Sequence, residues 1–352
     1  MQYPSVSGYF RIRKSKESLN MNSVLIRGDG VAAYCCAHLL GRAGYRIELQ
    51  PADRPRLPAI MLNHRAVALI RDVFDNQTLL RNAPAIHKRM VSWGDNSNVL
   101  AVDHSGIVVS EEALLEELSF ALPDQSPPAL TADWTIHASK PIPGPSDEHC
   151  FGTRVASAVP VTLKSNAGPL ACWIESLDDG WLFLIPSSPE SAWLLAVGNA
   201  PENLLAASAV IANEIDACDR TARQFPAYPR IVSPLAGSHW LACGTAAMAF
   251  DPLCGDGTAH AIREAILASA VIKSVAKDEQ AGILAHYDAR LTAGFRRHLA
   301  LCHQFYRSGG NTPWWRKELA GIESGLAWCD QKLKTHGDFR YRLADFELQL
   351  LA

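Results

Sequence analysis

The chain has 352 residues, 33 basic against 36 acidic side chains, a net charge of −3 with histidine neutral, and 48% hydrophobic content. That length buries one large core or two smaller ones, and the balanced charge lacks the basic footprint by which nucleic acid is held. No apolar run reaches the roughly 18 residues that cross a bilayer, and the opening MQYPSVSGYFRIRKSKESLN lacks the apolar centre of a secretory signal. A cytoplasmic protein is expected, with no membrane or nucleic-acid partner. The nine cysteines are scattered and show neither CxxC nor cysteine/histidine ligand spacing, so no metal is expected and the thiols read as buried and free.

Because MNSVLIRGDG begins so cleanly, residues 1–21 are either a dispensable extension, expected to be flexible, or a start placed too early; Arg11, Arg13, Lys14 and Lys16 there read as a solvated tail. A buried strand at Val24 to Ile26, a helix from about Val31 to Arg42 and a second strand from Tyr45 to Leu49 then form a βαβ unit. Its turn reads Gly28-x-Gly30-x-x-Ala33. The first glycine permits the tight turn, the second lets a pyrophosphate approach the backbone, and the small third residue allows close helix packing. The acid that would bond a ribose about twenty residues further on is open between Glu48, Gln50 and Asp53.

After a Pro-rich linker, KPIPGPSDE, three short strands follow: Cys172 to Ser176, Trp181 to Ile185 and Trp193 to Val197, separated by Asp/Gly and Pro/Ser turns. They predict an antiparallel meander, with Trp173, Trp181 and Trp193 in its core. Residues 202–225 have helical period, and HWLACGT returns as a buried strand. The stretch CGTAAMAFDPLCGDGTAHAIREAILAS passes Asp251-Pro252 and Gly255-x-Gly257 into a helix from about Thr258. Bare N–H groups and a helix dipole there would stabilise an anion, although an ordinary glycine-rich helix start has the same letters. From about residue 281 to the end the chain is expected to be helical, with HQFYRSGGNTPWWRKEL as part of a lid.

Taken together, GDGVAA, RLPAIMLNHRAVALIRDVF, VSWGD, TADWTIHAS, DDGWLFLIP and GTAAMAFDPLCGDGTAHAIREA resemble, in order and spacing, the FAD-dependent monooxygenases of the hydroxybenzoate hydroxylase fold. The nearest branch is the one related to flavin-dependent tryptophan halogenases and to flavoproteins that hydroxylate a protein tryptophan. The resemblance implies an α/β protein: a Rossmann-like FAD-binding domain from 22–75, 99–150 and 230–280, an inserted antiparallel-sheet α+β substrate domain from 76–98 and 151–229, and a helical region at 281–352. It assigns FAD to Gly28, Gly30, Ala33, Gly244, Thr245, Asp251, Pro252, Gly255 and Gly257. Thr245 stands where the family has an Asp, Gln50 or Pro51 where it has the ribose acid, and Lys140 follows HAS where it has a small Asp/Gly ending. Each lost charged contact would weaken FAD binding by about 1.5–3 kcal/mol.

The activity implied is hydroxylation of an aromatic substrate, a small molecule or a protein tryptophan, through a flavin hydroperoxide, with electrons from a separate flavin reductase or a transient nicotinamide. A halogenase is the nearest alternative. Its motif is met by Gly180, Trp181, Ile185 and Pro186 but not by Phe183, and Lys88 is the candidate for its lysine. A non-catalytic partner-binding descendant and a flavin-dependent reductase of a lipid-like substrate are the others. Asp256 and His64 are further catalytic candidates, set against a dipole-favoured helix residue and a helix cap. Cys254 reads as an inert thiol.

Overall fold

The computed structural model describes residues 22–95, 98–122, 131–144, 146–164, 170–219, 222–275, 279–335 and 340–351; the expected extension 1–21 lies outside them. Strand β1 (Ser23–Arg27) alternates buried and half-exposed residues, with Val24 and Ile26 in the core. Helix α1 (Val31–Arg42) buries small side chains, Ala32, Ala33, Cys35, Cys36 and Ala37, which is what lets it lie close to its neighbours. Strand β2 (Arg46–Gln50) pairs parallel to β1 in the register Ser23↔Arg46, completing the expected βαβ unit.

Strand β3 (Ile60–Asn63) runs directly into α2 (His64–Phe74), whose first turn is capped by the Asn63 side chain accepting from Ala66 N at 2.9 Å. Strands β4 (Ala85–Ser92) and β5 (Leu100–Val109) form an antiparallel pair, and α3 (Glu111–Ser119) follows. Strand β6 (Trp134–His137) pairs parallel to the free edge of β1. The end of the Pro-rich linker becomes β7 (Asp147–Cys150).

The meander forms as expected. Strand β8 (Val155–Leu163) is followed by β9 (Ala171–Leu177), β10 (Gly180–Pro186) and β11 (Ser191–Gly198), all pairing antiparallel. GWLFLIP, strand β10, is buried along its whole length because it lies mid-sheet with both faces covered. Trp181 is fully buried, whereas Trp173 and Trp193 are half-buried.

The helix expected at 202–225 is replaced by a short α4 (Pro201–Ala207) and two strands, β12 (Ile215–Cys218) and β13 (Arg223–Pro226), that extend the edge at β8. The cause is Glu175. Its buried carboxylate accepts from Ser208 Oγ (2.5 Å), Ala209 N (2.9 Å), Val210 N (3.2 Å) and Ile211 N (2.9 Å), so these donors turn toward it instead of continuing the helix.

Strands β14 (Arg230–Ser233), β15 (Ala236–Gly237) and β16 (Trp240–Ala242) lead to the short helix α5 (Gly244–Ala247) and to β17 (Met248–Ala249). A turn then opens α6 (Gly257–Val275), which packs on α1, and α7 (Gln280–Gly309) and α8 (Pro313–Lys334) follow. The C-terminus departs from expectation: β18 (Tyr341–Ala344) and β19 (Glu347–Leu350) make a hairpin, not more helix. Its two turn residues, Asp345 and Phe346, both have positive φ (48° and 59°), which matches the twist of a two-residue hairpin.

Besides the two-stranded C-terminal hairpin, three sheets organise the described residues. A five-stranded sheet runs β15-β16-β6-β1-β2, a nine-stranded one runs β12-β8-β11-β10-β9-β4-β5-β3 with β13 also on β8, and β17-β14-β7 is the third. Residues 22–75 and 99–150 thus contribute to both large sheets, since β3 and β5 lie in the nine-stranded one. No helix among the described residues is long and apolar enough to cross a membrane. The cysteines differ from expectation in part: Cys150 and Cys218 are exposed and Cys254 half-buried, while the other six are buried.

Candidate functional site

Gly28 ends β1 with φ +126°, and a Cβ there would stand 2.6 Å from Ser139 Oγ and 3.0 Å from Ser139 N. Gly30 then caps α1 without a side-chain hydrogen bond, and the first turn carries no acid, leaving a helix mouth of backbone donors. Ala33 is fully buried against the core, as the close-packing role requires. Gly28→Ala is expected to destabilise the fold by about 1–3 kcal/mol, measured by urea unfolding; an unchanged midpoint would show that the turn accommodates a side chain.

Four residues not expected at this mouth dominate its charge. Asp29 is 6% exposed and paired with Arg56 (Nη2–Oδ2 2.6 Å), while Arg54 lies 3.8 Å away and is itself held by Glu111 (Nη1–Oε2 3.0 Å) at the start of α3. A Cβ on Gly30 would come within 2.9 Å of Arg54 Nη2, so this guanidinium stands at the glycine mouth. The stretch ADRPR carries the signal, two arginines just beyond β2. Of the ribose candidates, Glu48 is half-buried on β2, and Gln50 and Asp53 are exposed; the Gln50 carbonyl accepts from Gly28 N at 2.8 Å.

The second glycine segment meets the first. Gly244 has φ +56°, and a Cβ there would lie 2.9 Å from Ala32 Cβ; Thr245 Oγ1 donates to Ala138 O at 3.2 Å. Residues 28–33, 138–139 and 244–245 therefore converge, although they are far apart in sequence. Gly244 N donates to Glu264 Oε2 at 2.7 Å, and Glu264 Oε1 is buried without a partner among the described residues. Burial pushes the Glu264 carboxyl up to about 8, only partly offset by the Gly244 N–H. Lys140 points outward to Glu148 (2.5 Å).

The turn between β17 and α6 is fixed from beneath. Asp251 Oδ1 accepts from Leu253 N (2.9 Å), and Oδ2 accepts from Arg154 Nε (2.7 Å) and Tyr306 OH (2.9 Å), so this carboxylate faces the interior. Pro252 begins the 3-10 turn Pro252–Cys254, and Gly255 follows with φ +64°. A Cβ on Gly255 would be 3.8 Å from Met61 Cε and 4.0 Å from Arg89 Nη2, while one on Gly257 would meet open space. The turn thus faces β3 and β4 of the nine-stranded sheet.

The candidate catalytic residues are not brought together. Asp256 pairs with His260 Nε2 (3.0 Å) and lies 3.8 Å from His298 Nδ1 on α7. Burial raises its carboxyl, but the contact with His260 and the nearby His298 ring outweigh this and hold it below the usual range. A cavity of about 480 Å³ beside it runs between α6 and α7 and includes Arg263 and Glu264 in its lining. His64 is exposed at the first position of α2. Lys88 is exposed and paired with Asp103 (2.5 Å). Its neighbour Arg89, on the opposite face of the strand, is the one that reaches toward Gly255, with Nε lacking a partner among the described residues and Cζ 5.9 Å from the Phe183 ring centroid. His104 on β5 joins Arg89 there; burial, then the charges of Arg89 and His64, lower its pKa from the usual imidazole value.

No protein-family model matches the chain, and no curated protein matches it. Solved structures do. The peptidyl tryptophan dihydroxylase QhpG, essential for tryptophylquinone cofactor biogenesis, superposes with TM-score 0.71 at 21% identity, covering 85% of this chain and 78% of that one. The flavin-dependent halogenase CmlS gives TM-score 0.71 at 16% identity over 90% and 72%. The myxobacterial chondrochloren halogenase CndH, a variant of the FAD-dependent halogenases, gives 0.73 at 14% over 89% and 90%. The chain has the fold these proteins share, as its motif order implies.

Proposed function

We propose that this chain is an FAD-dependent monooxygenase that hydroxylates an aromatic ring, with a tryptophan or indole ring as its favoured substrate. The observation that carries the reading is the convergence of the Gly28–Ala33 mouth with Gly244-Thr245, a cradle that side chains would fill and that offers backbone donors and two arginines to a pyrophosphate. Gly28, Gly30 and the first turn of α1 would take the phosphates, with Arg54 and Arg56 supplying positive charge. Gly244, Thr245, Pro252, Gly255 and Gly257 would line the rest of the cofactor. Bound FAD, once reduced by a separate flavin reductase, supplies oxygen activation. Arg89 and Phe183 of the nine-stranded sheet would form the opposing wall, limiting water and orienting the ring. In this reading 22–75, 99–150 and 230–280 carry the cofactor and 76–98 with 151–229 the substrate, β3 and β5 bridging the two. The nine free thiols support a cytoplasmic setting.

Hydroxylation is favoured over halogenation because Lys88 is 47% exposed and paired outward, on the face opposite Arg89. Lys88→Ala is expected to change the rate of oxygenation by no more than about 0.5 kcal/mol in activation free energy, measured as product formed per minute; abolished halide incorporation instead would establish a halogenase. The choice of an indole rests on the dihydroxylase likeness, since that protein acts on a peptidyl tryptophan.

The test has two stages. The purified chain, incubated with excess FAD and desalted, should retain flavin absorbance; none at any FAD concentration would mean a partner-binding descendant. With reduced FAD, dioxygen and an indole-bearing peptide, the product should gain one oxygen by mass. A gain of halogen or of two hydrogens would assign the halogenase or the reductase.

A further inference from the structure

Cys254 ends the 3-10 turn Pro252–Cys254 and is half-buried. Helix α7 brings a second thiol to it: Cys302, fully buried, with the two Sγ atoms 3.6 Å apart although 48 residues separate them. One turn earlier on α7, His298 places Nε2 3.2 Å from Cys302 Sγ, and the same Nε2 accepts from Asp251 N at 2.9 Å. These three side chains could ligate a metal, their atoms lying within 4.8 Å of one another. A metal on Nε2, however, would displace the Asp251 N–H and orphan a buried backbone donor. The geometry favours sulfur chemistry.

We propose that Cys254 and Cys302 form a redox-active dithiol that hydrogen peroxide converts to an intramolecular disulfide, with Cys254 attacking and Cys302 resolving. The Cys254 thiolate attacks one peroxide oxygen, the O–O bond breaks, and the departing hydroxide takes up the proton lost by Cys254 to leave as water. Cys254 is then a sulfenic acid. Cys302 attacks its sulfur, the S–O bond breaks, and the second hydroxide leaves as water with the Cys302 proton. Two thiols are oxidised by two electrons in total and one peroxide is reduced to two waters.

Exposure assigns the roles, since Cys254 is the thiol that peroxide can reach. Acidity agrees: the hydrogen bond from Cys302 brings Cys254 down to about 7 against the opposing effect of burial, whereas burial pushes Cys302 well up. Closing from 3.6 Å to the roughly 2.05 Å of a disulfide asks for movement of a three-residue turn, not of the 30-residue helix α7. The bond would tie the turn that faces Arg89 to α7. Neither step needs a flavin, so the proposal stands or falls apart from the monooxygenase reading.

The test uses the full chain, treated with EDTA, with equimolar hydrogen peroxide, then alkylation and non-reducing peptide mass mapping. Two of the nine thiols should be lost, both in one linked Cys254–Cys302 peptide pair, and dithiothreitol should restore them. Cys302→Ser should leave a dimedone-trappable sulfenic acid on Cys254, and Cys254→Ser should leave none on Cys302. If Cys150 or Cys218 oxidises while the Cys254–Cys302 pair stays reduced in the wild-type chain, the proposal is overturned, whether or not the variants fold.

Discussion

Arg154→Met is expected to lower the unfolding free energy by about 3–5 kcal/mol, because it strands two buried carboxylates. Arg154 is buried immediately before β8, with Nε 2.7 Å from Asp251 Oδ2 and Nη1 2.7 Å from Glu318 Oε2 on α8. Its guanidinium also lies 4.6 Å from the centroid of the Tyr306 ring, and Tyr306 OH in turn accepts from Trp181 Nε1 at 3.1 Å. Other donors soften the loss without replacing the charge: Tyr306 OH and Leu253 N on Asp251, and Thr153 N (3.1 Å) and Oγ1 (2.8 Å) on Glu318. Arg154→Lys keeps the charge but not the two-pronged geometry, so a smaller loss is expected. Urea unfolding of the three chains measures this. A loss under about 1 kcal/mol for Arg154→Met would show that the network is not holding the structure together. Because Asp251 caps the turn leading to Gly255, the same substitution should, on the function proposed above, also weaken FAD retention.

The second large effect is a dependence of stability on pH that Glu264 imposes. Its carboxyl titrates near 8 in the folded chain, chiefly because it is buried, against 4.5 when free. Between these values the unfolded chain releases the proton while the folded chain keeps it. The contribution of this group is therefore complete below pH 4.5, declines as pH rises, and is lost above about 8. The decline is about 1.4 kcal/mol per pH unit, on the order of 5 kcal/mol over the window. Glu264→Gln, which retains an acceptor for Gly244 N, removes the titration. The wild-type stability measured by urea unfolding should fall relative to the variant from pH 4.5 to 8; parallel curves would mean that Glu264 ionises normally in the folded state.

By itself the sequence determined the local parts. Alternation and turn residues specify β1, α1, β2 and the β9–β10–β11 meander within a residue or two, and the glycines at 28, 30, 244 and 255 mark where the backbone must turn or stay bare. These features depend on neighbours a few residues away, which is the range over which periodicity and turn chemistry act. The tertiary structure decided the rest. Helical period at 202–225 yields to Glu175 because a buried carboxylate needs donors and the nearest backbone supplies them. Asp251, with the letters of a cofactor ligand, is turned inward by Arg154, 97 residues away. Arg89 rather than Lys88 faces the glycine turn because the strand's orientation, set by its pairing with β5 and β9, chooses one face for each. Arg54 with Asp29, and Cys254 with Cys302, meet only after folding. Which buried charges pair and which thiols touch is decided by the segments the sheets and helices bring together, and no local pattern along the chain encodes that.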